Sequence, residues 1–169
     1  MKWVSIGGSW RKTNKQLEKD VRKTVRKFIG NKNGMISGGA LGVDYIATDE
    51  ALKLDPAAKR IKIFLPTTLE IYSKHYQEKA REGIITEKQA KDLATQLKRI
   101  RTNNSSSIIE NNKNKIVNEN TYAQRDSAII NLADEAISFH VNQSPATKGN
   151  IQKIREKGIP LKVFTYTIK

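Results

Sequence analysis

Cysteine is absent from the 169-residue sequence, and histidine and long apolar runs are scarce. Without cysteine the chain has no disulfide, thiolate zinc site or cysteine nucleophile, which is typical of a reducing compartment. The two histidines, His75 and His140, are not spaced as metal ligands, so we predict no metal and no other cofactor. No stretch approaches the roughly 20 apolar residues that cross a bilayer, and residues 1–7 are too short for a signal peptide. We therefore expect a cytoplasmic protein with no membrane partner.

Acidic residues are few compared with basic ones. The sequence has 31 lysines and arginines against 17 aspartates and glutamates, a formal charge of +14. Much of the excess lies in residues 1–34, where the only acidic residues are Glu18 and Asp20. Such a block fits either a solvated helix face or a surface that meets the phosphates of single-stranded DNA or RNA, and the sequence leaves both open.

Short β-branched runs alternate with longer segments of helical periodicity. This alternation predicts one α/β domain over residues 1–169, a Rossmann-like open and mainly parallel sheet with helices on both faces. Residues 67–120 interrupt the pattern, and we predict there a helical insertion that ends in a mobile loop rich in Asn, Lys and Ser. The predicted strands are 2–6, 35–37, 60–65, 136–141 and 160–165, and the predicted helices outside the insertion start near 13, 44, 121 and 149.

A glycine-rich turn follows the second predicted strand and precedes a helix. It runs Ser37-Gly38-Gly39-Ala40-Leu41-Gly42-Val43-Asp44. Glycines let the backbone approach an anion, and free N–H groups at a helix start favour negative charge. The turn is neither a Walker A motif nor a dinucleotide fingerprint. It fits a phosphate site, with Asp44 as helix cap or ribose ligand, about as well as it fits a structural turn.

Two further polar segments are predicted at the same edge of the sheet, because the carboxyl ends of parallel strands share one edge. The first follows the first strand, and we predict ligand contacts from Gly7, Gly8, Ser9 and Arg11, whose guanidinium suits a phosphate. The second is the loop 144–150, where hydroxyls, an ammonium and a helix start converge. Its predicted ligand residues are Ser144, Thr147, Lys148 and Gly149.

These motifs resemble the superfamily that joins DNA-processing protein A (DprA/Smf) to the LOG proteins, known as SLOG. The Ser37–Asp44 run resembles the S-G-G-A-x-G-x-D motif of DprA-like and YspA/YpsA-related members. The segment 122–126 resembles the one that bears their R-N or R-K pair, with Asp126 where Asn or Lys is usual. The resemblance implies a nucleotide-binding Rossmann-like sheet with Arg125 beside the ligand. It departs from the LOG hydrolases at the loop 144–152, which lacks their paired glycines and their glutamate.

The sequence therefore predicts a binding module for a nucleotide or nucleotide derivative, or for a single-stranded nucleic acid backbone. The alternative is a hydrolase of N-glycosidic bonds that acts on nucleoside phosphates, with Asp44 or Asp126 in place of the missing glutamate. A nucleic-acid-dependent scaffold that forms homo-oligomers is also left open.

Overall fold

The computed structural model describes residues 1–169 and confirms the predicted fold class. Its sheet has six strands, all parallel, and is flanked by helices. The strands are β1 Trp3–Gly8, β2 Gly34–Ser37, β3 Ile61–Phe64, β4 Ile108–Ile109, β5 Glu135–Val141 and β6 Leu161–Tyr166. The helices are α1 Lys15–Gly30, α2 Val43–Leu54, α3 Leu69–Arg81, α4 Glu87–Asn103, α5 Glu119–Leu132 and α6 Pro145–Lys157.

The strand order β4-β3-β2-β1-β5-β6 creates a switch point at the centre of the sheet. From β1 the chain adds strands outward on one side as far as β4, and it then returns to place β5 against the other side of β1. Because the loops after β1 and β5 diverge to opposite faces, a crevice opens between them at the carboxyl edge.

Packing on the two sides of the sheet is uneven. The main core contains 29 buried residues and joins α1 to α4 with the sheet. The second core contains only three buried residues, Ile130 of α5, Ala136 of β5 and Ile154 of α6. Helix α5 therefore lies over the sheet with little apolar packing beneath it.

Local sequence accounts for the regular elements. In α1 the buried residues Leu17, Val21, Val25 and Phe28 recur at helical spacing, and the Asn14 side chain accepts a hydrogen bond from the N–H of Leu17. Helix α4 begins with a reciprocal capping box, in which Thr86 and Gln89 bond to each other's backbone. The predicted extents of α1 and β2 are confirmed to within one or two residues.

Two predicted boundaries are wrong, and one strand was not predicted. Strand β1 does not end before Gly7 but continues through Gly8, because both residues pair with β5. Helix α6 begins at Pro145 and not at Gly149, so most of the predicted loop is the first turns of a helix. A sixth strand, β4, lies within the segment predicted to be loop.

The middle of the chain, residues 67–120, contains α3, α4, a 3-10 turn over Ser105–Ser107 and β4. The side chain of Ser107 anchors this segment by donating to the carbonyl of Ala58 at 2.6 Å. The mobility of the remaining polar loop stays a prediction. Across the whole chain, no helix has both the length and the apolar character that crossing a membrane requires.

Candidate functional site

A cleft of about 1000 Å³ lies at the β1/β5 switch point. Three segments meet around it: the residues after β1, the glycine-rich turn after β2, and the first turns of α6 after β5. Helix α5 covers one side, and α3 contributes His75, Tyr76 and Lys79 from the middle segment. The volume is at the upper end of the range for small-molecule and cofactor sites.

The first turn of α6 presents unused hydrogen-bond donors to the cleft. Ser144 is the N-cap but its side chain makes no capping bond, and Pro145 at the first helical position has no N–H. The backbone N–H groups of Ala146 and Thr147 donate to no protein acceptor. The residue Thr147 is 7% exposed and lines the cleft, and its hydroxyl, which forms no hydrogen bond within the protein, is accessible from the cleft. A helix start with these donors is suited to an anion.

The segment after β1 forms the opposite lip. The Ser9 hydroxyl accepts a hydrogen bond from the N–H of Lys12, and the Ser9 carbonyl accepts one from the N–H of Val43, so the segment is tied to α2. The Arg11 guanidinium stacks on Trp10 at 4.9 Å and makes only a long, 3.5 Å contact with the Ile84 carbonyl. Trp10 is 39% exposed at the cleft. This lip therefore offers an ammonium, a guanidinium and an indole to a ligand.

The glycine-rich turn supports the cleft mainly through its backbone. Gly39 and Gly42 have φ angles of +66° and +74°, a region that favours glycine. A Cβ on Gly42 would lie 2.3 Å from the Ser9 carbonyl oxygen, so this glycine permits the contact between the first two segments. A Cβ on Gly38 would lie 2.8 Å from the Arg125 guanidinium carbon. The glycines at 38, 39 and 42 are thus explained by close packing and backbone conformation.

Asp44 is a buried carboxyl at the base of the turn. It is 8% exposed, and one oxygen accepts a hydrogen bond from the N–H of Ala40 at 3.2 Å. Burial raises the pKa of Asp44 to about 6, although the positive charge of Arg125 and the Ala40 N–H act in the opposite direction. The neighbouring Ser37 hydroxyl is near enough to favour the charged form slightly, but it makes no hydrogen bond of good geometry. Asp44 at the edge of the cleft therefore has a pKa above that of an exposed aspartate, because burial disfavours its charged form.

Arg125 joins α5 to the glycine-rich turn. Its guanidinium donates to the Gly38 carbonyl at 3.1 Å and twice to Asp126 at 3.0 and 2.9 Å, and it stacks on Tyr122 at 4.8 Å. Burial alone would lower the pKa of Arg125, but the nearby carboxylates and Tyr72 outweigh it and hold the pKa above its ordinary value. Arg125 therefore ties α5 to the glycine-rich turn, and its contact with a ligand stays a prediction.

Asp126 has partners on both oxygens. One accepts from Arg125, and the other accepts from the Asn150 amide at 3.1 Å, which links α5 to α6. A carboxylate held in this way maintains the distance between the two helices that flank the cleft. It is less available than Asp44 to carry a proton to or from a ligand.

The floor of the cleft was not predicted. Ser5, Gly7 and Ser138 line it. The two serines are each 5% exposed, and their hydroxyls form no hydrogen bond within the protein. Gly7 has open space above it, because a Cβ added there would have no atom within 4 Å. The sequence signal for this floor is the pair of small residues at positions 5 and 7. They lie on the same face of the sheet only if β1 continues through Gly8.

Most of the predicted site residues meet at this cleft. Those that line it are Gly7, Gly8, Ser9, Arg11, Gly38, Ala40, Asp44, Arg125, Asp126, Ser144, Thr147 and Gly149. Ser37 and Gly39 lie beneath the turn, Gly42 lies against the first lip, and Lys148 points away on α6; these four do not line the cleft. Residues that the sequence reasoning missed include Ser5, Ser138, Asn150 and Lys153.

The fold and the cleft together define a Rossmann-like α/β protein with a ligand-sized crevice at its switch point. Solved structures share this fold. DNA processing protein A from Helicobacter pylori, whose single-stranded DNA binding mode has been described, aligns with a TM-score of 0.66 and 22% identity over 96% of this chain and 64% of that one. The molybdenum cofactor carrier protein from Chlamydomonas reinhardtii aligns with a TM-score of 0.56 and 13% identity, covering 98% of this chain and 79% of that one.

DNA processing protein A from Streptococcus pneumoniae aligns with a TM-score of 0.52 and 16% identity, over 95% of this chain and 58% of that one. The chain thus spans less than two thirds of either DNA processing protein. No family model matches the sequence, and no curated protein matches it. At these identities the similarity establishes the fold.

Proposed function

We propose that the protein binds a nucleotide or a nucleotide derivative, with a phosphate group at the first turn of α6. The observation that supports the proposal is the pair of unused N–H groups of Ala146 and Thr147, two residues that line a cleft of nucleotide size beside the Thr147 hydroxyl. A phosphate there would accept charge-assisted hydrogen bonds and would lie at the positive end of the helix dipole. Lys12 and Lys153, both exposed at the cleft, add positive charge.

The proposal is tested by calorimetric titration with AMP, GMP, CMP, UMP, ribose 5-phosphate and pyrophosphate. Thr147→Val removes a hydroxyl whose bond to a charged group is worth about 1.5–3 kcal/mol, so we expect affinity to fall roughly 10- to 150-fold. Lys153→Gln should weaken binding less, because the ammonium is exposed. Lys91→Gln, on the exposed face of α4, is the matched control and should leave affinity unchanged.

Two results would reject this function. Wild-type protein that binds none of the six compounds has no phosphate site of the proposed kind. Binding that Thr147→Val leaves unchanged would place the phosphate away from α6.

We propose also that the chain is a member of the SLOG superfamily and forms one domain, with residues 67–120 inserted. The motif Ser37–Asp44 supports the first proposal, since its glycines occupy the strand-to-helix turn beside the cleft. The contribution of α3 and α4 to the main core supports the second. Deletion of residues 70–103 should therefore prevent folding, as judged by loss of a cooperative thermal transition.

A second candidate, the binding of single-stranded nucleic acid, is favoured by a row of lysines on α1. Lys15, Lys19, Lys23 and Lys27 recur every fourth residue and are all exposed. None of them forms an ion pair, whereas the arginines of the same helix pair with Glu18, Asp49 and Glu50. Successive lysines are about 6 Å apart along the helix axis, and the row begins three residues after Lys12 at the cleft.

Salt dependence distinguishes this candidate from mononucleotide binding. A labelled single-stranded oligonucleotide should bind with an affinity that falls steeply with salt, because neutralised phosphates release counterions. Replacing the four lysines of the row by glutamine should lower the slope of log affinity against log salt by about 3 if all four contact phosphates. An unchanged slope would remove the row from the binding surface, and AMP affinity should be unaffected by the same change.

A further inference from the structure

We infer that the floor of the cleft is a separate subsite for the heterocyclic base of a nucleotide, and that the Ser5 and Ser138 hydroxyls hydrogen-bond to the polar edge of that base. The inference rests on the proposed function, because a phosphate held at α6 determines which part of the ligand reaches the floor. It adds to that function the residues that select one ligand from another.

The register of the sheet places the floor beneath α5 and α6. Ser5 pairs with Ala136 and Gly7 pairs with Ser138, and residues two apart on a strand share one face. Ala136 packs with Ile130 of α5 and Ile154 of α6, so that face is the one these two helices cover. The floor therefore consists of three small residues under two helices, with the weakly packed α5 as its roof.

Two features of the floor indicate a ligand rather than ordinary packing. The residues Ser5 and Ser138 are each only 5% exposed, yet their hydroxyls form no hydrogen bond within the protein and are not among its fully buried polar atoms, so they stay accessible from the cleft as free donors and acceptors. The space above Gly7 is also open, with no atom within 4 Å of the position that a Cβ would occupy. A packed interior would have filled this position with a side chain.

The chemistry of the walls selects the kind of group that would fit. Ile129 of α5 and Ile154 of α6 face the cleft with apolar surface, while the floor offers two groups that both donate and accept hydrogen bonds. An aromatic heterocycle has apolar faces and a polar edge, and it matches this arrangement. An acyl chain would leave both hydroxyls unsatisfied, and a sugar would bury its own hydroxyls against the isoleucines.

The experiment compares nucleoside monophosphates with ribose 5-phosphate, which has the phosphate and sugar but no base. In the wild type, at least one of AMP, GMP, CMP and UMP should bind ten or more times more tightly than ribose 5-phosphate. Gly7→Val, which fills the floor, should lower the affinity for that nucleotide to the affinity for ribose 5-phosphate. The affinity for ribose 5-phosphate itself should stay within about threefold of the wild-type value. Ser5→Ala and Ser138→Ala should each weaken the nucleotide alone by roughly two- to tenfold.

The outcomes separate this inference from the function on which it rests. Two results would reject the base subsite and leave the phosphate site standing. One is wild-type protein that binds ribose 5-phosphate and the nucleotides equally well, and the other is Gly7→Val protein that still prefers the nucleotide. Loss of ribose 5-phosphate binding in Gly7→Val would mean that the floor belongs to the phosphate site. Wild-type protein that binds no phosphate compound overturns the proposed function as well. Gly30→Ala, far from the cleft, is the control, and if Gly7→Val does not fold, Gly7→Ala and Ser138→Ala give the same comparison.

Discussion

Two adjacent glycines in β1 should respond to alanine in opposite directions. Both lack the positive φ that favours glycine, so the outcome depends on space alone. Gly7→Ala adds a carbon with no neighbour within 4 Å and restricts the unfolded chain, which should stabilise the fold by about 0.4–1 kcal/mol. Gly8→Ala places a carbon 2.3 Å from the Phe139 carbonyl oxygen and 3.0 Å from the Val43 side chain, an overpacking that should cost about 1–3 kcal/mol.

Urea denaturation analysed by linear extrapolation measures both changes, with thermal melting as a second readout. For a chain of this length 1 kcal/mol shifts Tm by about 2–4 °C, so Gly7→Ala should melt roughly 1–4 °C higher and Gly8→Ala roughly 2–12 °C lower. The reasoning is refuted if Gly7→Ala loses more than about 0.5 kcal/mol. That result would mean that α5 closes onto the floor in solution and that the proposed base subsite has no room.

Four further predictions follow from the site. The pKa of Asp44 is about 6 in the folded protein and near 3.8 in the unfolded chain, so between about pH 4 and 6 the folded state binds a proton that the unfolded state has lost. As pH rises through this window, the free energy of unfolding of the wild type should fall by up to about 3 kcal/mol relative to that of Asp44→Asn. Urea melts in which the two free energies change with pH in parallel would contradict this prediction. Arg125→Ala leaves the partly buried Asp126 with only its Asn150 partner and should cost about 1–3 kcal/mol, measured in the same way. A loss below about 0.5 kcal/mol would show that the link from α5 to the Gly38 carbonyl is dispensable. When the protein is incubated with nucleoside monophosphates, chromatography should detect no free base. If free base is released, and Asp44→Asn abolishes the release while Asp126→Asn does not, the hydrolase alternative would be supported. Backbone amides of residues 110–118 should exchange with solvent faster than those of α1, and equal protection would reject the predicted mobility.

Local sequence predicted the elements whose patterns are long. The helical period of α1 and its Asn14 cap lie within 17 consecutive residues, and the tertiary structure only confirms them. Strand β4 has two residues in a polar context, and no periodicity exists in so short a segment. It forms because Ile108 pairs with Ile63 of β3, a partner 45 positions away. Such a strand is defined by tertiary contacts, which a local pattern cannot encode.

The start of α6 was predictable and was missed. Ser144 followed by Pro145 is the N-cap and first-position signature of a helix, but the polar character of residues 142–148 was interpreted as a loop. The continuation of β1 through Gly7 and Gly8 was less accessible. Glycine ordinarily weakens a strand, and here its presence is explained by Phe139, which leaves Gly8 no space for a side chain. That contact depends on the β1/β5 register.

Part of the site followed from topology and part did not. Parallel strands bring their carboxyl ends to one edge, so three polar segments far apart in the chain could be predicted to meet there. The roles of individual residues depended on distances. Arg125 joins Gly38 to Asp126, and Gly42 and Gly38 leave room for Ser9 and Arg125, which no local pattern could show; their contacts with a ligand stay predictions.

The uneven packing of the sheet explains why the cleft is where it is. With 29 residues in one core and three in the other, the stability of the fold depends mainly on α1 to α4, and the floor under α5 is free to carry small polar residues. Helix α5 is instead held by polar links, through Arg125 to the glycine-rich turn and through Asp126 to α6. A ligand between α5 and the floor would supply the apolar contact and the hydroxyl partners that this side of the sheet lacks. Binding and the ordering of α5 should therefore be coupled, and the gain in stability should follow RT ln(1 + [L]/Kd).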